Sequence, residues 1–301
     1  MPNKLRIFVS YARTDGEVFA KNLRRRLAEK HGFSLWQDRS DMEGGKDWWQ
    51  QIVEALKNVE YLVLVMTPTS MRSDIVRKEW RLARQEGVCV VPVMGAPDTD
   101  FASLPRWMRD THFVDPEIPE QWTRFIRTLE SPCNARRVPF MVEDLPDHFV
   151  PRPDECEKLI TCLFDERREE PVAITAALRG AGGYGKTTLA KAVCHDERIQ
   201  EAFHDGILWV TLGQQPDVVA GLTKLYAALT GERPAFVDIE DAANTLAQSW
   251  HDRAYLVVID DVWNRFTSDH FYAEAIDVPV SLLRGIAQLF RPIHMVSMSM
   301  Q

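Results

Sequence analysis

The sequence lacks the features that mark membrane-spanning, secreted or nucleic-acid-binding chains. No window approaches about 18 uninterrupted apolar residues, so no membrane-spanning helix and no membrane partner are expected. The five cysteines include no C-x-x-C pair, and their odd count favours a reducing compartment over a disulfide framework. A net charge of -8 argues against nucleic acid as a partner. The N-terminus enters the strand-like run "KLRIFVSY" almost at once, so no signal peptide is expected and the protein is predicted to be cytoplasmic.

Strand-like and helix-like segments alternate along two stretches of the 301-residue chain, which is long enough for two domains. The strand-like runs include "KLRIFVSY" and "EYLVLVMTP" in the first stretch, and "GILWVTL" and "AYLVVIDDVW" in the second. Continuous apolar runs are typical of strands that are buried on both faces of a parallel sheet. Both stretches are therefore predicted to be α/β domains. A proline-containing segment, residues 131–150, is predicted to link them.

A glycine-rich loop in the second stretch matches the phosphate-binding pattern G-x-x-x-x-G-K-[ST], between a predicted strand and a predicted helix. Glycines let backbone N–H groups close around phosphate oxygens, and the helix N-terminus adds positive potential. A glycine-rich turn that binds nothing is the alternative for the loop alone. The predicted nucleotide-binding residues in this loop and helix start are Gly180, Ala181, Gly182, Gly183, Tyr184, Gly185, Lys186, Thr187 and Thr188.

The apolar strand "YLVVIDD" supplies the acidic partner that such a loop requires. Lys186 is predicted to reach the β and γ phosphates, and Thr187 and Asp260 are predicted to hold Mg²⁺. Asp261 is predicted to position a water molecule or to cap the following turn. A nucleotide with Mg²⁺ is the expected ligand.

The second domain resembles the NB-ARC module, the nucleotide switch of plant resistance proteins, apoptotic scaffolds and prokaryotic STAND regulators. The resemblance covers about residues 149–264 and rests on "GAGGYGKTTLAKAV", "FHDGILWVTL", "YLVVIDDVWN" and the leading segment "FVPRPDECEKL". It implies ADP bound at rest, exchange for ATP on activation, and oligomerisation. In this family an arginine of the leading segment lies beside the base, which implies that role for Arg152.

The resemblance is incomplete after Asn264. The family module continues into a strand with a sensor arginine, a helical subdomain and a winged-helix region, and none of these is recognisable in the remaining sequence. The nucleotide domain is therefore predicted to cover residues 151–264, followed by an atypical tail over residues 265–301. Slow or absent ATP hydrolysis is expected. One hypothesis is that the tail is the truncated or frameshifted end of a longer ancestor.

The helical segment "SDIVRKEWRLARQ", residues 73–85, places a carboxylate on its apolar side. At about 100° per residue, Glu79 falls on the same arc as Val76 and Trp80, where a helix meets a core. A charge there is costly unless it has a partner. The simple explanations are that the carboxylate turns to solvent or pairs with an arginine such as Arg13.

The first domain, residues 1–130, resembles a TIR domain through four blocks in order: "IFVSYARTD", "LWQDRSDMEGGKDWWQQI", "LVLVMTPTSMRSDIVRKEW" and "GVCVVPVM". The resemblance implies a flavodoxin-like parallel sheet with a ligand crevice at the carboxyl ends of its strands. Many TIR domains cleave NAD⁺ at the nicotinamide–ribose bond, and the matching glutamate is catalytic, which implies that role for Glu79. The residues implied to contact NAD⁺ are Phe8, Ser10, Tyr11, Arg13, Asp38, Trp48, Ser73 and Trp80.

Three functions are compatible with these resemblances. The first is a TIR-domain NAD⁺ glycohydrolase that is regulated by the nucleotide module in signalling or defence. The second is a non-enzymatic adaptor that binds other TIR proteins, and the third is a nucleotide-switch ATPase with a TIR scaffold. Glu79 favours the enzyme because adaptors often lack that glutamate, and the missing sensor disfavours the ATPase. Self-association through TIR domains is expected. For Trp80, core packing is the alternative to NAD⁺ contact, and one of Trp48 and Trp49 is expected to pack.

Overall fold

The computed structural model describes residues 7–36, 48–99, 104, 106–109, 111, 113–164, 172–175, 185–213, 217–249, 253–263 and 294–300. Its contacts divide the chain into two units, Met1–Val138 and Pro139–Gln301. Two sets of predicted site residues, Asp38 and the loop residues 180–184, lie outside the described residues.

The first unit is a parallel sheet with helices on both faces. Its strands lie in the order β2-β1-β3-β4 and are β1 (Ile7–Ser10), β2 (Leu35–Trp36), β3 (Tyr61–Met66) and β4 (Cys89–Met94). Its described helices are α1 (Arg13–His31), α2 (Trp48–Lys57), α3 (Pro68–Arg72), α4 (Asp74–Gln85), α5 (Arg106–Arg109) and α6 (Pro119–Glu130). Val114 adds a single parallel bridge to Val93, on the outer side of β4. This order is that of a flavodoxin-like sheet, and the α/β prediction is confirmed.

The side chains of the central strands explain the two helical layers. All six residues of β3 are buried, as the continuous apolar run "YLVLVM" predicts for a strand covered on both faces. Ile7 and Val9 of β1 face a core that includes residues of α1 and α6. Phe8, between them, faces a second core that includes residues of α2 and α4. Alternate side chains of one strand therefore fix the two sides of the sheet.

The second unit is also a parallel sheet, with the strand order β5-β8-β7-β6. Its strands are β5 (Val172–Thr175), β6 (Gly206–Gly213), β7 (Tyr255–Trp263) and β8 (His294–Met300). Its described helices are α7 (Pro153–Leu163), α8 (Lys186–His195), α9 (Glu197–Ala202), α10 (Val218–Thr230) and α11 (Ile239–Ser249). Alternate residues of β6 again face two cores, with Trp209 on one side and Leu208 on the other.

Strand β8 was not expected from the sequence, which shows no recognisable strand after Asn264. The structure places β8 between β5 and β7, with Val296 in register with Val172 on one side and with Val258 on the other. This strand was missed in the sequence, although its residues 296–300, "VSMSM", alternate apolar and polar side chains with the period of a strand. The strand contains no arginine. The preceding residues, 264–293, lie outside the described part of the chain.

The chain passes from one unit to the other in the middle of the proline-containing segment, between Val138 and Pro139. Val138 N–H donates to the Arg84 carbonyl at 2.9 Å, which ties the last residue of the first unit to α4. Ile207 N–H donates to the Pro139 carbonyl at 2.9 Å, which ties the first residue of the second unit to β6. The proposed boundaries of the domains and of the linker at residues 131–150 stay a prediction.

Cys89, at the start of β4, forms a disulfide with Cys133, whose Cα atom lies 5.8 Å away. The expectation of unpaired cysteines is therefore wrong for this pair. The two residues are 44 positions apart, and no spacing in the sequence marks them as neighbours. Disulfides are rare in the cytosol, so this bond does not support the predicted cytoplasmic location. Of the described helices, none is long and apolar enough to cross a membrane.

The contact between Pro139 and Gly206 generates a stability prediction. A Cβ on Gly206 would lie 2.7 Å from the Pro139 carbonyl oxygen, at a backbone φ of +145°. Gly231 also has a positive φ, +82°, but a Cβ there would meet nothing within 4 Å. We expect Gly206→Ala to destabilise the second unit by ~1–3 kcal/mol more than Gly231→Ala, because it adds a steric overlap to the backbone strain.

Chemical denaturation of both variants, combined with amide hydrogen exchange of β6, measures this difference. Equal losses of stability in the two variants would contradict the steric argument.

Candidate functional sites

Glu79 lies on the buried side of α4 and is 7% exposed. Ser10, the last residue of β1, is 1% exposed and donates from Oγ to Oε2 of Glu79 at 2.5 Å. The carboxylate therefore does not turn to solvent, which was one of the simple explanations for its position. It lies at the carboxyl end of β1, the edge at which parallel sheets of this kind form their ligand crevice.

The alternation of β1 explains why Ser10 meets Glu79. Phe8 and Ser10 are two positions apart and lie on the same side of the strand, since successive side chains alternate between faces. Phe8 shares a core with Val76 and Trp80, which flank Glu79 on the buried side of α4. Ser10 therefore points to the same side of the sheet as Phe8, towards α4. As the last residue of β1, it lies where the apolar contacts with α4 end.

The aromatic residues predicted to contact NAD⁺ differ in how deeply they are buried. Phe8 is 1% exposed and stacks on Trp36, with ring centroids 4.8 Å apart. Trp80 is 5% exposed and its ring centroid lies 5.1 Å from that of Trp107, so it packs in the core as the alternative interpretation holds. Tyr11 is half-buried beyond the end of β1. Contact of these rings with NAD⁺ stays a prediction, and for the two core residues it requires side-chain movement.

Three further residues that were predicted to contact NAD⁺ lie at the N-terminal ends of helices. Arg13 is exposed at the first residue of α1. Ser73 precedes α4 and its Oγ accepts from the Val76 N–H at 3.4 Å, which caps the helix that carries Glu79. Trp48 is 47% exposed, whereas Trp49 packs against the core. The expectation that one of these two tryptophans packs and one is freer is confirmed.

A second polar link at this edge joins α1 to the segment after β3. Asp15 accepts from the Thr67 hydroxyl at 2.7 Å through Oδ1 and from the Thr69 N–H at 2.9 Å through Oδ2. Burial raises the pKa of Asp15, but the hydrogen bonds from Thr67 and Thr69 outweigh it and leave the pKa below its ordinary value. Asp15 was not predicted from the sequence to be a site residue. The only signal was its place in the first turn of α1, where an acidic residue is commonly found.

The second unit brings together the residues predicted for Mg²⁺. The Thr187 hydroxyl, in the first turn of α8, donates to Oδ1 of Asp260 at 3.1 Å. The same oxygen accepts from the Asp261 N–H at 2.9 Å. Burial raises the pKa of Asp260, although the hydrogen bond from Thr187 opposes it. A hydroxyl and a carboxylate in contact are oxygen ligands of the kind that Mg²⁺ prefers, so these residues fit the ion.

Gly185 forms the junction between the glycine-rich loop and α8. Its φ of 71° is in the left-handed region, which glycine adopts without steric cost. The half-buried Lys186, Thr187 and Thr188 follow it as the first turn of α8, where backbone N–H groups are available to an anion. Arg152 is close by, since its Nη2 atom lies 3.7 Å from the position that a Cβ on Gly185 would occupy. The structure thus places Arg152 beside the end of the loop.

Family comparisons identify the two units. A model of the TIR domain matches residues 7–129, and a model of the NB-ARC domain matches residues 152–280. The chain carries a TIR domain followed by an NB-ARC domain. The NB-ARC match extends to residue 280, beyond the point at which the motifs stop being recognisable in the sequence.

The similar curated proteins are plant disease resistance proteins. Disease resistance protein RGA2 of Solanum bulbocastanum is 30% identical over 115 residues, which are 38% of this chain and 12% of that protein. Probable disease resistance protein RF45 of Arabidopsis thaliana is 32% identical over 133 residues, which are 43% of this chain and 12% of that protein. The chain thus spans about an eighth of the length of either relative. Prokaryotic STAND regulators are among the proteins that the second domain resembles, but both of these relatives are plant proteins.

Two solved structures that match part of this chain contain TIR domains. The TIR domain of the Toll-related receptor TRR-2 from Hydra magnipapillata has a TM-score of 0.36 at 19% identity, and the match covers 42% of this chain and 98% of that domain. The TIR domains of the activated Roq1 resistosome have a TM-score of 0.31 at 17% identity, and that match covers 53% of this chain and 99% of the compared chain.

The Asp15 link in the TIR domain predicts a pH-dependent contribution to stability. Because the folded-state pKa is lowered, the contribution is present above the unfolded value of about 3.9 and is lost as pH falls through the folded value. Asp15→Asn keeps an acceptor for Thr67 but places an N–H₂ group where Thr69 needs an acceptor. We expect Asp15→Asn to lower the unfolding midpoint at neutral pH and to have a smaller effect at low pH.

Denaturant unfolding of wild type and variant across this range measures the effect. Asp74→Asn is the matched control, since Asp74 is exposed and pairs with Arg77 on its own helix. A pH-independent difference between wild type and Asp15→Asn would contradict the argument.

Proposed function

We propose that the chain is an NAD⁺ glycohydrolase in which Glu79 of the TIR domain is the catalytic residue. The observation that supports this most directly is the Glu79 carboxylate, which is buried at the carboxyl end of β1 and bonded to Ser10. A carboxylate is costly to bury for packing alone, so its presence at a sheet edge of this type points to a role with substrate. The resemblance of the surrounding blocks to TIR domains supplies the substrate, NAD⁺.

One carboxylate is sufficient for this reaction. Cleavage breaks the bond between C1′ of the ribose and N1 of nicotinamide, and the electron pair leaves with nicotinamide. The ribose develops oxocarbenium character, which a nearby carboxylate stabilises more strongly in a site of low dielectric than in water. Nicotinamide leaves as a neutral base, so no general acid is needed. Water then adds at C1′ and releases its proton, which gives ADP-ribose.

The NB-ARC domain supports control by nucleotide. An NB-ARC domain implies nucleotide binding, and we infer ADP or ATP with Mg²⁺ as its ligand. Thr187 and Asp260 would hold the ion, which neutralises phosphate charge when bound. Lys186 would reach the phosphates from the first turn of α8, and Arg152 lies beside Gly185 at the end of the loop.

We place this activity in defence or signalling, because the similar curated proteins are disease resistance proteins. Self-association through the TIR domain is the assembly step that the nucleotide would control, and other TIR proteins are the further partners. A cytoplasmic location fits this role, although the disulfide between Cys89 and Cys133 does not support it.

A non-enzymatic TIR adaptor is the second candidate, and one observation favours it. Glu79 already accepts a hydrogen bond from Ser10 and is 7% exposed, so its carboxylate is satisfied without a ligand. In that case the Ser10–Glu79 pair would serve to fix α4 against β1, and the TIR surface would act only by binding other TIR domains.

Removal of the Glu79 charge separates the two candidates. Glu79→Gln keeps the side-chain shape but loses the charge that stabilises the ribose cation, so we expect nicotinamide release from NAD⁺ to fall by about 100-fold or more. The purified chain is assayed by chromatography at high concentration or with a crowding agent, because assembly is expected to be required. Glu54→Gln, which alters an exposed glutamate of α2, should keep the wild-type rate.

Equal rates of Glu79→Gln and wild type would refute the catalytic assignment. Absence of release from both proteins, even under crowding, would favour the adaptor.

The proposed Mg²⁺ site is tested through nucleotide affinity. Thr187→Ala removes the hydroxyl that bonds to Asp260, so ATP binding should weaken about tenfold or more in the presence of Mg²⁺ and change little when a chelator is present. Calorimetric titration with ATP under both conditions measures the two affinities. Thr223→Ala is the matched control, because that hydroxyl bonds to the Val219 carbonyl within α10. The same weakening with and without Mg²⁺ would argue against Thr187 as a ligand of the ion.

A further inference from the structure

Ser10 is buried more completely than Glu79, the residue to which it donates. It is 1% exposed, whereas Glu79 is 7% exposed. A ligand that reaches the carboxylate therefore has less access to the serine behind it. The direct contact between Ser10 and NAD⁺ that the family resemblance implies is harder to make than a contact through Glu79.

The donor is fixed by the sheet. Ser10 ends β1, which is paired with β2 on one side and with β3 on the other, and Ser10 itself is in register with Leu64. Leu64 is fully buried and belongs to the core between the sheet and α4. The hydroxyl oxygen therefore has few positions open to it, and it lies 2.5 Å from Glu79 Oε2, the short end of the range for O–H···O hydrogen bonds.

The acceptor sits on a helix that is anchored on both sides of it. Val76, one turn before Glu79, is 2% exposed, and Ala83, one turn after it, is fully buried. Ser73 caps the N-terminus of the same helix. Both backbones are thus held in place, and the remaining freedom lies in the side-chain torsions of Glu79. A glutamate has three such torsions, which a hydrogen bond from a fixed donor restricts.

We propose that Ser10 is a positioning residue for the reaction: its hydroxyl holds the Glu79 carboxylate in the orientation that faces the ribose, and it does not itself contact NAD⁺. The inference rests on the proposed function of Glu79. Loss of orientation lowers the rate of bond cleavage more than it lowers substrate affinity, since the carboxylate acts mainly on the charge that develops in the transition state.

The kinetic test uses the full chain under the assembly conditions described for Glu79. Ser10→Ala should lower kcat for nicotinamide release by about 10- to 100-fold with KM nearly unchanged. Ser10→Thr, which restores a hydroxyl on a residue suited to strands, should recover most of kcat. Tyr61→Phe is the matched control. Tyr61 is the first residue of β3, at the opposite edge of the sheet from Ser10, and its hydroxyl donates to the Thr128 carbonyl. This variant should keep the wild-type kcat.

A rise in KM with unchanged kcat for Ser10→Ala would overturn the proposal, because it would show that Ser10 contacts NAD⁺ directly. Equal kinetics of Ser10→Ala and wild type would overturn it as well. These results leave the role of Glu79 standing if Glu79→Gln remains inactive, so failure of this inference is distinct from failure of the proposed function.

A crystal structure of Ser10→Ala provides a test that does not depend on activity. We expect the Glu79 carboxylate to leave its wild-type position or to occupy more than one conformation. A carboxylate that stays within about 0.5 Å of its wild-type position would overturn the proposal. This outcome would overturn it even if the wild-type chain releases no nicotinamide.

Discussion

Parallel pairing constrains both units in the same way, because it brings the carboxyl ends of all strands to one edge of each sheet. In the TIR domain, Ser10 ends β1, and Thr67 directly follows β3. In the NB-ARC domain, Asp260 lies near the end of β7, where Thr187 meets it from α8. All residues of β1 and β3 are buried, as are residues 255–260 of β7. Strand direction thus decides where these polar contacts lie in each unit.

The sequence pattern within a short segment was sufficient to predict individual strands, helices and the end of the glycine-rich loop. The uninterrupted apolar run of β3, the apolar arc of α4 and the glycine at the start of α8 are each encoded in fewer than about 15 neighbouring residues, and each is present in the structure. The same local reading identified Glu79 as a carboxylate on an apolar arc. Its burial confirms the position, while its catalytic role remains a proposal.

Contacts between residues that are far apart in the chain could not be predicted from the local sequence pattern. Asp15 meets Thr67 across 52 positions, and Cys89 meets Cys133 across 44. Strand β8 lies between β5 and β7, and its place in the sheet is a long-range property that its own alternating residues do not specify. The hydrogen bond from Ser10 to Glu79, 69 positions away, was not expected for the same reason. The contact of Ser10 with NAD⁺ stays a prediction.

The bond between Cys89 and Cys133 closes the chain from β4 through α6 into a covalent ring. A single cut by a protease inside that ring leaves both pieces attached. Tension applied along the backbone from beyond residue 133 would pass through the sulfur atoms directly into β4, so α6 would carry none of it. A force applied at the C-terminal end of the TIR domain is therefore borne by β4 and the sheet, and not by α6.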